Sequence, residues 1–251
     1  MVIITAVTIA LVIVTGTYAY QVLDRQRGAS EFDTVKKSFI TLDDAIRDVA
    51  WDIDSSRSAR FTVKYGFLEL IPGTNLKGLP LSVTIEEYSE AAYSSYTGYV
   101  RYNISTNYFT LGNGYKSYLF GNNKIAVSKS AENFGVALIE QSSRWVSLTL
   151  CYRVRAMKTS VVQVGGETVN YVEISIIKLN ATKWSTYIGD LDLAARNIAI
   201  TTQTYGPFNV AGDNTCTVNV RLGESTDSVD VSLDAGKVVF NFVIAEVQLT
   251  P

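Results

Sequence analysis

MVIITAVTIALVIVTGTYAYQVL (Met1–Leu23) contains no charged residue, and DRQRGASEFDTVKKSFITLDDAIRDVAWDI (Asp24–Ile53) follows it without a proline. The first stretch is dense in Ile3, Ile4, Val7, Ile9, Leu11, Val12, Ile13 and Val14. As a helix rising about 1.5 Å per residue it spans roughly 34 Å, enough for a bilayer core of about 30 Å. A cleaved secretory signal would open on basic residues and carry a shorter apolar run, and this segment does neither. In the second stretch Phe32, Val35, Phe39, Leu42, Ile46, Val49 and Ile53 recur at alternating spacings of three and four, a heptad-like seam predicted to lie on a folded head. Between them Glu31, Asp33, Lys36, Lys37, Asp43, Asp44, Arg47, Asp48 and Asp52 are expected on the solvated side. The two halves read as one helix near 80 Å long, with Gly16 and Gly28 as the places for bends.

Beyond Arg60 the apolar period changes from 3.6 toward 2. Phe61–Ile71 alternates and stops at Pro72-Gly73, and Leu81–Tyr88, Tyr96–Tyr102 and Asn107–Leu111 continue the strand-rich run. Three hairpins are predicted: at Asn113-Gly114, at Gly165-Gly166 and at Asp234-Ala235-Gly236. Trp145–Met157 reads as one long strand, Glu132–Gln141 and Tyr187–Ala195 as short helices, and Glu90–Gly98 as a flexible loop. Many short strands with turn signals every 8–12 residues predict an antiparallel β-sandwich of Ig-like type. The fold class is therefore α+β: an N-terminal helix over 1–58, divided into an apolar half (1–23) and an amphipathic half (24–58), and a β-rich head over 59–251.

Composition excludes several functions. There is no His, which removes His-based nucleophilic sites and His-ligated zinc or haem. Lys plus Arg number 22 against 24 Asp plus Glu, so the basic footprint of a nucleic-acid binder is missing. The paired carboxylates (Asp43 with Asp44, Asp52 with Asp54, Glu86 with Glu87, Asp190 with Asp192) read as solvated charge or turn residues, and no complete calcium loop is present. No enzyme activity, metal or cofactor is expected. Cys151 and Cys216 each fall within a strand candidate and form either a disulfide or two separate buried thiols. Asn103-Ile104-Ser105 and Asn180-Ala181-Thr182 are acceptor triplets for N-glycosylation, which has meaning only outside the cell. A cluster of Tyr88, Tyr93, Tyr96, Tyr99, Tyr102 and Tyr108 suits either half-buried strand faces or contact with proteins and sugars.

A long helix, apolar then amphipathic, bearing a β-rich head resembles a type IV pilin of the archaeal, archaellin-like class. The likeness lies in the layout of about the first 55 residues. Bacterial members carry Glu at the fifth mature position, where this chain has Thr5; archaeal relatives often lack that Glu. No basic leader precedes Met1, so the resemblance implies a chain in its processed form. It also implies a lollipop architecture in which Ile3 to Val14 enter a filament core. The expected protein is a homo-oligomeric, adhesive subunit of an extracellular helical filament, inserted in the membrane before assembly. A prepilin peptidase, an assembly ATPase and a platform membrane protein are the partners so implied. Arg25, Arg27, Lys36 and Lys37 would place the head of an uncleaved anchor in the cytoplasm, whereas the acceptor triplets favour the outside. The alternative expectation is a monomeric, membrane-anchored surface receptor or binding module.

Overall fold

The computed structural model describes residues 2–128, 133–210 and 214–251. One helix, α1 (Val2–Val49), leads into a β-rich domain. Its 48 residues make it about 72 Å long. It passes through both Gly16 and Gly28 without a break in its helical run. Gly28 has a packing role instead: a Cβ there would stand 2.8 Å from the Tyr108 carbonyl oxygen and 2.9 Å from the Tyr108 Cβ, whereas one at Gly16 would meet nothing within 4 Å. Gly28→Ala is therefore expected to destabilise the chain by about 1–3 kcal/mol of overpacking, outweighing roughly 1 kcal/mol of helix propensity. Gly16→Ala should leave the melting of the head unchanged. Urea titrations of both variants in detergent check the opposite outcomes.

The helix ends earlier than its periodicity implies. Asn197 Nδ2 donates to the Ala50 carbonyl, and Ser55 Oγ donates to the carbonyls of Val49 and Asp52. Asp54, at φ 65°, then turns the chain into the head. Ile53 thus lies past the helix and is 58% exposed, not part of the seam. The other predicted seam residues, Phe32 through Val49, are all buried.

The strands are β1 (Ser56–Ile71), β2 (Leu79–Ile85), β3 (Ala92–Thr97), β4 (Tyr99–Ser105), β5 (Lys116–Phe120), β6 (Val127–Ser128) and β7 (Gly135–Gln141). They continue as β8 (Trp145–Tyr152), β9 (Val154–Val164), β10 (Glu167–Ala181), β11 (Ser185–Asn209), β12 (Thr215–Leu222), β13 (Ser225–Ser232) and β14 (Lys237–Thr250). Ten of them form one sheet in the order β5-β7-β8-β4-β1-β11-β14-β10-β9-β6, and β13-β12-β2-β3 form a second. The domain is mostly antiparallel. The large sheet is nevertheless mixed, because β10 runs parallel to β14 and β6 to β9, a departure from the purely antiparallel expectation.

Two cores follow from the pleat. α1 packs on a cluster that includes Phe61, Leu68, Leu148 and Leu193. On β10, Ile177 and Leu179 join that cluster, while Val172, Ile174 and Ile176 join a second one with Val83, Val218 and Val220 of the small sheet. Because successive side chains point to opposite faces, the helix and the small sheet cover opposite sides of the large sheet.

Only the Gly165-Gly166 hairpin forms as predicted, with both glycines at positive φ and β9 paired to β10. At Asn113-Gly114 the flanking segments do not pair. β5 pairs with β7, and Gln141 Oε1 takes the amides of Leu111 and Gly112. The turn at Asp234–Gly236 connects strands of different sheets, and β13 pairs with β12 across Gly223-Glu224. The expected strand Trp145–Met157 is divided at Arg153. That side chain is 1% exposed and donates to the carbonyls of Asn133 and Lys124 and to Asn122 Oδ1. Residues 135–141 and 187–195, expected to be helical, are β7 and part of β11; Glu132 lies outside the described residues. The expected flexible loop contains β3.

Candidate functional site

The most distinctive surface is the first half of α1. Ile3, Ile4, Val7, Ile9, Leu11, Val12, Ile13 and Val14 are between 54% and 79% exposed, and the head covers none of them. An 18-residue window of this helix reaches a mean hydropathy of 1.9 with no part buried, which is long and apolar enough to insert in a membrane. Two of its hydroxyls turn back onto the helix: Thr8 donates to the Ile4 carbonyl at 2.8 Å and Thr17 to the Ile13 carbonyl at 2.9 Å.

The second half holds this rod to the head. Phe32 stacks on Phe109 with ring centroids 4.5 Å apart, and Phe39 meets Phe61 edge-on at 5.7 Å. Burying Phe32, Val35, Phe39, Leu42, Ile46 and Val49 is worth at most about 1.5–3 kcal/mol each.

Two buried carboxylates fix the seam's register. The Glu31 carboxylate accepts the amides of Lys64 (2.7 Å), Tyr65 (2.9 Å) and Gly66 (2.9 Å), together with the Tyr102 hydroxyl (2.7 Å). Those three consecutive amides are free for it because β1 slips register against β11 between Val63 and Leu68. Gly66 must lack a Cβ, which would lie 2.5 Å from the Tyr102 ring and from the Asn103 carbonyl. Burial, and then its bond to Glu31, holds the Tyr102 hydroxyl far above its ordinary pKa, so it stays a donor.

Twelve residues on, about 18 Å along the axis, Asp43 is 4% exposed rather than solvated. It accepts the Tyr152 hydroxyl at 2.7 Å and pairs with Arg47 at 3.0 Å, and Arg47 also pairs with Asp44. Burial raises the Asp43 carboxyl above 3.8; Tyr152 and Arg47 offset part of this, and Asp44 adds to it. The sign for stability follows. A carboxyl whose folded pKa exceeds its unfolded one contributes fully below about pH 3.8 and loses that contribution as pH rises through the folded value. The stability difference between the native chain and Asp43→Asn should therefore shrink as pH climbs out of that range and then level. Paired urea melts across the acid range read it directly, and a difference that grows with pH would contradict the assignment.

The remaining predicted sites do not converge on the rod. Asn103 is 6% exposed; its Nδ2 donates to Glu69 and its Oδ1 accepts from Ser147, so the glycan-accepting atom is engaged within the sheet. Asn180 is half-buried in β10 and its Nδ2 donates to Glu246. Neither triplet lies in a surface loop. Cys151 and Cys216 are free thiols buried in the second core, not a disulfide, and burial pushes each up to about 12. Asp54 pairs with Arg196, Asp190 accepts from Thr62, and Glu87 accepts the Thr217 amide. Among the described residues no group of three or more His, Cys, Asp or Glu is placed to hold a metal. Of the Tyr cluster, Tyr88 and Tyr102 are buried, Tyr93, Tyr99 and Tyr108 are half-buried, and Tyr96 is exposed.

No profile of a protein family, no curated protein and no solved structure matches this chain. The architecture, a long apolar helix followed by a β-rich domain, is compatible with that of a pilin. Sequence reasoning missed the roles of Glu31 and Asp43, which it placed among solvated charges. Both flank the apolar seam, but their partners lie 71 and 109 residues away, beyond the reach of any local pattern.

Proposed function

We propose that this chain is the structural subunit of an extracellular, archaeal type IV-like filament. It polymerises through the first half of α1, and the sandwich-like β-head faces outward for adhesion. The observation that carries the reading is an uncharged helix half left bare by its own head, on a rod whose other half is locked to that head by Glu31 and Asp43. In a membrane that surface is solvated by lipid. In a filament it is covered by copies of itself, at roughly 25 cal/mol per Å² of apolar surface removed from water. A heterologous contact that does not close yields a helical fibre. The partners implied by resemblance are a prepilin peptidase, an assembly ATPase and a platform membrane protein.

The same helix also fits a second reading, a membrane-anchored monomeric receptor. Electron microscopy of material sheared from the cell surface separates the two. Thin fibres whose dominant protein is this chain support the filament subunit; protein retained in the membrane pellet with no fibres overturns it.

A further inference from the structure

Where the apolar run of α1 ends, its polar residues gather on one side. Gln21, Asp24, Arg25 and Gly28 follow the spacing i, i+3, i+4, i+7, which places them along a single face of the helix. Gly28 seats that face on the head, since a Cβ there would lie 2.8 Å from the Tyr108 carbonyl oxygen. One turn toward the N-terminus helix and head part, and a crevice of about 270 Å³ opens between them. Gln21, Asp24, Arg25, Asn107 and Tyr108 line it. A second crevice, of about 200 Å³, shares Arg25, Asn107 and Tyr108. Among the described residues, none of the side chains of Gln21, Asp24, Arg25 and Asn107 makes a hydrogen bond or an ion pair. An anion and a cation thus face the same space, paired neither with each other nor with the head.

The level of this crevice along the rod selects its ligand. With the uncharged segment 1–23 centred on Val12 in a bilayer, Arg25 stands about 20 Å from the midplane. That is beyond the roughly 15 Å half-thickness of the hydrocarbon and within the roughly 20–22 Å that the headgroups reach. Tyr18 and Tyr20, 68% and 73% exposed, fall one to two turns below it, near the boundary where rings with a polar tip collect. We infer that the crevice seats the headgroup of a zwitterionic aminophospholipid, with its phosphate against Arg25 and its ammonium against Asp24. The amides of Gln21 and Asn107 remain to bond the other headgroup oxygens. Arg25 alone would take any phosphate. Asp24 in the same crevice repels a purely anionic headgroup and attracts one whose ammonium stands two carbons from its phosphate. A lipid held there ties the head to the bilayer surface for as long as the helix stays inserted. The inference rests on insertion of α1, which the unassembled filament subunit and the anchored receptor share, and not on polymerisation.

The test reconstitutes the full chain in vesicles of equal parts phosphatidylethanolamine and phosphatidylglycerol. The vesicles are floated on a density gradient, and the chain is then released into detergent for native mass spectrometry of the lipid it retains. The native chain should hold phosphatidylethanolamine over phosphatidylglycerol by about five-fold, the scale of one solvent-accessible ion pair. Asp24→Asn should bring that ratio down to about one, because the ammonium loses its partner while Arg25 still takes either phosphate. Arg25→Gln should lose both lipids. Neither side chain has a partner in the head, so both variants should melt like the native chain, which separates a lost ligand from a lost fold. Equal retention by the native chain, a preference for phosphatidylglycerol, no retained lipid, variants that keep the native ratio, or displacement by inorganic phosphate would each overturn the assignment. A chain that does not float removes membrane insertion and the headgroup with it. One that floats and shows no preference removes the crevice alone. Sheared fibres test polymerisation separately, and their presence or absence leaves this result standing.

Discussion

Glu31→Ala will lower the stability of the helix–head junction by about 3–5 kcal/mol, the largest effect expected of any single substitution in the seam. The loss is not that of one contact. The Glu31 carboxylate takes three amides and one phenol, all at or below 2.9 Å. Truncation would leave buried donors without partners, at about 1–3 kcal/mol for each that water cannot reach. Glu31→Gln retains one acceptor oxygen but points an NH2 at amide donors, so it should recover less than half. Chemical denaturation in detergent, followed by near-UV circular dichroism of the Tyr-rich core, measures both variants. A change below about 1 kcal/mol for the alanine variant would show that water replaces the carboxylate and that the seam is held by apolar burial alone.

On the filament proposal, Ile9→Asp or Val12→Asp will abolish filaments and leave the head folded. Each residue is more than half exposed and touches nothing in the head, so the melting of the head should not move. An aspartate near the middle of a membrane helix costs about 2.5–3.5 kcal/mol on insertion scales, and the same carboxylate buried among neighbouring helices has no partner there. Both states that solvate the bare rod are thus penalised together. Fibre counts from cells carrying either variant, alongside denaturation of the purified chain, check the two halves of the expectation. Normal fibres from either variant would sink the filament proposal.

The parts of this fold that could be read in advance are those governed by local period. Phe32 through Val49 announced their burial by spacing alone, and Gly165-Gly166 announced its turn by the positive φ that only glycine adopts freely. What failed required knowing a partner. Ile53 keeps the seam's spacing, yet the Asn197 amide and the left-handed Asp54 stop the helix before it. Asn113-Gly114 has the chemistry of a tight turn, but the Gln141 side chain satisfies the backbone that would have paired across it. Arg153 splits a β-rich run because three acceptors, on Asn122, Lys124 and Asn133, receive its guanidinium, an arrangement with no signature in the run itself. The Asn103 triplet was blind to depth: its strand lies next to β1 inside the ten-stranded sheet. The bare half of the rod was legible as apolar from its uncharged composition alone.

The unbroken passage of α1 through Gly28 also sets how the helix–head junction bears load. A pull on the head along the helix axis is not met by a hinge that could open one contact at a time. It reaches a stiff rod whose seam, from Gly28 to Val49, runs parallel to the force for about 32 Å. The interlocked rings and both buried carboxylates then resist sliding together, in shear, so the junction yields only when most of its contacts give way at once. A tether built this way holds under tension along its axis and is weakest when the head is levered sideways.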